Sequence, residues 1–209
     1  MKNYVVEFIG TFFLVLVIGL TVIEPKGVGD LAPLAIGATL MVMVYAGGHL
    51  SGGHYNPAVT LAVWMRGKCD TKDVAPYMVA QILGGVIAAL VVGFSKNNPN
   101  VTAATPDVAR AVLNELLFTF ALCYVVLNTA TSKKNAGNSY YGLAIGFTVA
   151  AGAYAGGAIS GGAYNPAVAC GISTMGLSAW SNIWIFLVGN FAGAALAATV
   201  YKMTNPSEF

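Results

Sequence analysis

Charge is what this sequence has least of. Only 9% of its 209 residues are Asp, Glu, Lys or Arg, against about 25% in an average soluble domain. So few charges cannot cover a soluble surface, and 57% of the chain is hydrophobic; the composition is that of a membrane protein. The net charge is +2 with no basic run, which leaves nothing to follow a phosphate backbone and argues against nucleic acid as a partner. Cysteine is also scarce. Cys69, Cys123 and Cys170 are widely spaced and odd in number, which fits neither a disulfide framework nor a metal-ligand cluster. They read as free thiols, and no metal or cofactor is expected. No small-residue cleavage site follows the first apolar run, and Glu7 interrupts its start, so it reads as a membrane span rather than a signal peptide. An intramembrane enzyme would need a nucleophile or a metal set, and none converges here.

What the sequence does have is apolar length. Six segments, 4–23, 31–46, 74–94, 108–130, 140–155 and 181–201, are candidate spans. Two shorter apolar stretches, 57–66 and 166–175, follow the second and fifth. At the α-helical rise each covers about 15 Å, half the hydrocarbon thickness, so neither can cross alone. The connections 24–27, 96–100 and 132–135 carry Pro, Gly, Asn and Lys and read as loops. An inside N-terminus puts Lys2, Arg66, Lys68, Lys72, Lys133, Lys134 and Lys202 on the cytoplasmic side and Lys26, Lys96 and Arg110 outside, the bias expected of cytoplasmic loops. Trp64, Tyr77, Trp180 and Trp184 lie near span ends and read as interface anchors.

The segment beginning at Leu34, LAIGATLMVMVYAGGHLSGGHYNPAV, aligns without a gap on the segment beginning at Leu143, LAIGFTVAAGAYAGGAISGGAYNPAV, and 17 of 26 positions are identical. Glu7 with Thr11 and Phe12 answers Glu115 with Thr119 and Phe120; Gln81 with Gly84 answers Asn190 with Gly193. One three-span unit is written twice, over approximately 1–95 and 107–203, within a single domain spanning 1–209. An odd number of crossings per unit turns the second copy upside down, and inverted repeats place their site at the interface near the midplane. The expected fold is an all-α polytopic membrane protein with six transmembrane helices and two half-membrane helices.

Asn56-Pro57-Ala58 and Asn165-Pro166-Ala167 open the two short stretches. Asn is a preferred N-cap and Pro suits the first helical position, so each triplet starts a half-helix. In the inverted arrangement the two N-termini meet in mid-membrane, each carrying roughly half a positive charge, which repels cations. The Asn amides add donors facing the gap. Ser51-Gly52-Gly53 and Ser160-Gly161-Gly162 lead into the triplets, and irregular backbone at this depth implies a wet cavity.

Through HYNPAV, AYNPAV and the paired Glu-x-x-x-Thr-Phe, the chain resembles the aquaporin, or major intrinsic protein, family over nearly its whole length. The resemblance implies one pore per subunit and a homotetramer; the expected location is the plasma membrane, with both termini on the cytoplasmic side as the charge bias places them. It also assigns Glu7 and Glu115 to hydrogen bonding with the half-helix loops, the alternative for a charge within a span being a proton relay. His54 reads as a loop-packing residue that could reach the cytoplasmic mouth. Most members carry arginine after the second triplet, and the glycerol-conducting branch follows it with aspartate; here these are Val168 and Ala169. Carried over by spacing, the other filter positions are Ile36, Ala153 and Gly162. A filter of Ile36, Ala153, Gly162 and Val168 is wide and uncharged, so the expectation is a passive channel for water and small neutral solutes such as glycerol or urea. The rivals are a glycerol-type facilitator with little water flux, an ion channel, and a non-conducting structural membrane protein.

Overall fold

The computed structural model describes residues 1–25 and 27–208. Lys26, one of the charges counted for orientation, lies outside the described residues, as does Phe209. Eight α-helices are described: α1 (Lys2–Val22), α2 (Ala32–Ser51), α3 (Pro57–Met65), α4 (Thr71–Ser95), α5 (Val108–Val126), α6 (Tyr141–Ser160), α7 (Pro166–Thr174) and α8 (Ile183–Thr204). A π-helical turn, Leu127–Thr131, extends α5. Among the described residues, six helical segments are long and apolar enough to cross a membrane; α3 and α7, at nine residues each, are not.

The long helices are apolar on both faces. In α1, Glu7, Gly10, Thr11, Leu14, Val15 and Ile18 recur at helical spacing and are buried, while Val5, Ile9 and Phe13 on the other side are exposed. A helix hydrophobic all round belongs where lipid replaces water. Small residues then decide which helices meet. At the crossing of α2 and α6, a Cβ on Gly37 would lie 2.6 Å from the Gly146 carbonyl oxygen, and Gly146 meets Gly37 reciprocally. The pairs α1 with α4 and α5 with α8 close in matching ways: Gly84 abuts the Phe8 carbonyl and Gly193 the Leu116 carbonyl.

α2 and α6 run on through the glycine-rich stretches 47–51 and 156–160, past the apolar runs that announced them. They stop at Gly52 and Gly161, whose φ of 92° and 94° is left-handed and open to glycine without a Cβ penalty.

One surface assignment needs correction. Tyr77 is no interface anchor: it is 4% exposed, and its hydroxyl donates to the Ser51 carbonyl at 2.8 Å. Arg66, at the end of the stretch 57–66, is buried at the C-terminal end of α3. Its guanidinium donates to the Glu208 carboxylate and to the Glu208 carbonyl, each at 2.8 Å, and lies over the Tyr201 ring. The carboxylate also accepts from the Ser132 hydroxyl and the Lys133 N–H. One carboxylate thereby ties the end of α3 to the α5–α6 connection.

Burial on its own would raise the Glu208 carboxyl. The hydrogen bonds from Ser132, Lys133 and Lys134, with the Arg66 charge, outweigh it and hold the group below its usual value. A depressed carboxylate contributes stability that is complete above its unfolded value, about 4.3, and is lost as pH falls through the folded value. Glu208→Gln is therefore expected to melt below wild type at pH 7, with the gap closing as the pH is lowered toward that range. Melting curves in detergent across pH check this; a gap that is absent at pH 7 or constant with pH contradicts it.

Candidate pore site

Each half-helix is launched from a loop whose backbone turns left-handed at three places. Gly52, Gly53 and Tyr55 have φ of 92°, 62° and 49°; Gly161, Gly162 and Tyr164 have 94°, 63° and 48°. Positive φ at a tyrosine is unfavourable by about 1–2 kcal/mol, so something must hold it. Both rings are 1% exposed. The Tyr55 hydroxyl donates to the Met43 carbonyl at 2.9 Å and the Tyr164 hydroxyl to the Gly152 carbonyl at 2.8 Å. Gly10 and Gly47 leave room for the first ring, Gly152 and Gly156 for the second.

The loop N–H groups, deprived of water, are met by two fully buried carboxylates. Glu7 accepts from the Ser51 hydroxyl (2.6 Å), the His54 N–H (3.0 Å), the Tyr55 N–H (2.6 Å) and the Gln81 amide (2.8 Å). Glu115 accepts from the Ser160 hydroxyl (2.6 Å), the Ala163 N–H (3.0 Å), the Tyr164 N–H (2.7 Å) and the Asn190 amide (2.7 Å). Four donors per carboxylate make up for lost hydration.

So held, the loops present Asn56 and Asn165. The Asn56 side-chain oxygen accepts from the Ala58 N–H at 2.8 Å, and that of Asn165 from the Ala167 N–H at 2.9 Å, capping α3 and α7. Pro57 and Pro166 occupy the first helical positions. The amides reach across the repeat: Asn56 Nδ2 donates to the Tyr164 carbonyl at 2.8 Å, and Asn165 Nδ2 to the Tyr55 carbonyl at 2.9 Å. Each amide has two hydrogens, so one on each remains.

Beside these amides lies a cavity of about 310 Å³. Its wall includes Asn56 and Asn165 and also Ile36, Ala153, Gly162 and Val168; Ala58 and Ala167 are fully buried and not part of it. No Asp, Glu, Lys or Arg among the described residues lines it. His54 does line it, with Nδ1 3.1 Å from the Thr60 hydroxyl and its ring against Tyr77. Cys170 is not on the wall.

A model of the family described as major intrinsic protein matches residues 1–201. The chain belongs to that family. It is 38% identical over 177 residues to the probable aquaporin TIP1-2 of Oryza sativa subsp. japonica, covering 82% of this chain and 70% of that one. It is 35% identical over 207 residues to the glycerol uptake facilitator protein-like 6 of Lactiplantibacillus plantarum, covering 95% of each. In fold it is similar to the X-ray structure of the aquaglyceroporin from Plasmodium falciparum, with a TM-score of 0.81, 22% identity, and 99% and 98% of the two chains covered. As a major intrinsic protein it is a multi-pass membrane channel, a passive route for water and small solutes rather than an enzyme.

Some lining residues escaped the sequence reading. Ala104 and Pro106, from the α4–α5 connection, line the cavity with Leu177 and Ser178, and Ala104 is held there by a hydrogen bond to the Leu177 carbonyl and a bridge to Ser178. Nothing in the local pattern sends a loop segment inward; the available signal was only its Pro and small residues. Tyr55 and Tyr164 were legible as repeat identities but not as left-handed residues.

Glu115→Ala would leave two backbone N–H groups, a hydroxyl and an amide without their acceptor. Each buried donor so stranded costs about 1–3 kcal/mol, so the variant is expected to lose more than about 3 kcal/mol and to give little folded protein. Yield and melting temperature in detergent are the readout. A well-folded Glu115→Ala protein whose flux has acquired a new pH dependence would point to proton relay instead.

Proposed function

We propose that this channel passes water and neutral solutes of glycerol or urea size through an uncharged filter formed by Ile36, Ala153, Gly162 and Val168. The observation that carries the reading is the cavity wall: both capping asparagines and all four filter positions border one space that no charged side chain among the described residues borders. Val168, 3% exposed and on the first turn of α7, takes the place of a fixed cation. Two effects oppose each other there. An apolar wall strips a permeant of hydrogen bonds, while the loss of bulk and charge relaxes the size limit. The loop 161–163 borders the same cavity, and in this proposal its carbonyls return some of those bonds, so the widening is expected to prevail. The names of the relatives, an aquaporin and a glycerol uptake facilitator, fit a pore of this range.

The remaining assignments belong to the same proposal. The chain is a single channel domain whose repeat units span approximately 1–95 and 107–203. It assembles as a homotetramer, one pore per subunit, in the plasma membrane with both termini cytoplasmic.

Stopped-flow measurements on proteoliposomes, with water and a size series of neutral solutes, test the filter. Wild type is expected to pass water and glycerol or urea; water flux that excludes every such solute refutes the wide filter. Val168→Arg is expected to cut solute permeability about tenfold through bulk and charge at the constriction while the protein still folds. Unchanged solute flux in that variant counts against Val168 as a filter residue.

A further inference from the structure

A second cavity, of about 470 Å³, lies at the end of the molecule where α3 ends and α4 begins. It is polar, bordered by Asn3, Ser51, Lys68, Asp70, Asp73 and Thr131 among others. Only two described residues border both this vestibule and the pore cavity: His54 and Val126. We propose that these two side chains form a second, inner constriction, and that Val126 at this neck limits which neutral solutes pass, independently of the filter near Val168.

The hydrogen bonding fixes what the neck offers a permeant. The Thr60 hydroxyl donates to the Asn56 carbonyl and accepts from the Gln81 amide. With its single proton assigned to that carbonyl, His54 Nδ1, 3.1 Å from the same oxygen, is assigned as the donor to it. The neutral imidazole then presents Nε2 as an acceptor, with no hydrogen-bond partner among the described residues. Val126, the other residue that borders both cavities, is apolar and stiff. A molecule in the neck keeps a hydrogen bond on one side and loses hydration on the other, which favours small solutes with a donor to give.

The Val126 side of the neck is anchored. Val126 is the last residue of α5, where the helix loosens into the π turn Leu127–Thr131, a device frequent at functional sites. Ala130 and Thr131 of that turn border the vestibule. The next residue, Ser132, is held by Glu208, which Arg66 fixes to the end of α3. The wall therefore has a set position, and side-chain size at 126 translates into neck width.

The inference rests on the pore reading, and the experiment separates the two. Permeability to water, urea and glycerol is measured in proteoliposomes for wild type, Val126→Ala and Val126→Trp. The tryptophan variant is expected to lose about tenfold in all three, and the alanine variant to gain about threefold in glycerol relative to water. Because tryptophan could disturb folding, the neck is also blocked after folding. Val126→Cys is made in a Cys69→Ser, Cys170→Ser parent, since Cys69 borders the vestibule, and treated with a trimethylammonium-bearing methanethiosulfonate. Flux is expected to fall about fivefold or more and to return on reduction, with the untreated and treated parent unchanged. Failure of the introduced thiol to react, or reaction shown by mass without loss of flux, overturns the inner neck while the pore reading stands. A parent that passes no more water than bare lipid removes both.

Discussion

Irregular backbone in the middle of a bilayer has no solvent to satisfy it, and each stranded N–H costs several kcal/mol there. The two loops 51–56 and 160–165 escape this only because Glu7 and Glu115 place a carboxylate under each, accepting from two backbone N–H groups, a serine and a side-chain amide. The dependence runs both ways. A charge within a span is itself expensive, and the loop donors are what make it tolerable. Everything at the centre follows from this exchange: the left-handed tyrosines can be held, the half-helices can start at mid-depth, and the space beside them can stay open.

The exchange also sets the electrostatics. With the loops fixed, Asn56 and Asn165 cap α3 and α7 and bond to each other's loop, bringing two helix N-termini to one place. Each contributes roughly half a positive charge, and no described acidic side chain borders the cavity to offset it. A small neutral molecule meets donors and an apolar wall; a cation meets repulsion. In the proposed reading, a filter relaxed at Val168 widens the range of neutral solutes without removing this central barrier, because the barrier is made of backbone and not of any side chain at the filter.

The fold was largely legible in the sequence because membrane proteins advertise their spans by apolar length, and because the repeat of Leu34 onward at Leu143 fixes the relation of the halves. Length alone marked α3 and α7 as half-helices. What stayed hidden depends on contacts distant in the chain. The apolar runs behind α2 and α6 stop at 46 and 155, where glycine interrupts them; here Gly47 and Gly156 are helical and small to admit a tyrosine ring. Tyr77 had an anchor's position and a core residue's environment. Arg66 could be read as the end of a short apolar stretch, but its partner Glu208, 142 residues away, could not. At the site, motif and spacing named Ile36, Ala153, Gly162 and Val168, all on the cavity wall. They gave no hint of Ala104, Pro106 or the place where Val126 and His54 border both cavities, since those come from a loop and a helix end that carry no motif.

The central claim is that two positive helix ends converge beside a path open to neutral molecules. It is tested most directly by recording osmotic water flux and proton flux on the same proteoliposomes, the second driven by a pH gradient under a potassium clamp. The account predicts water permeability well above that of bare lipid, with proton conductance indistinguishable from protein-free vesicles. Proton flux that rises in proportion to the water permeability as more protein is incorporated would contradict it.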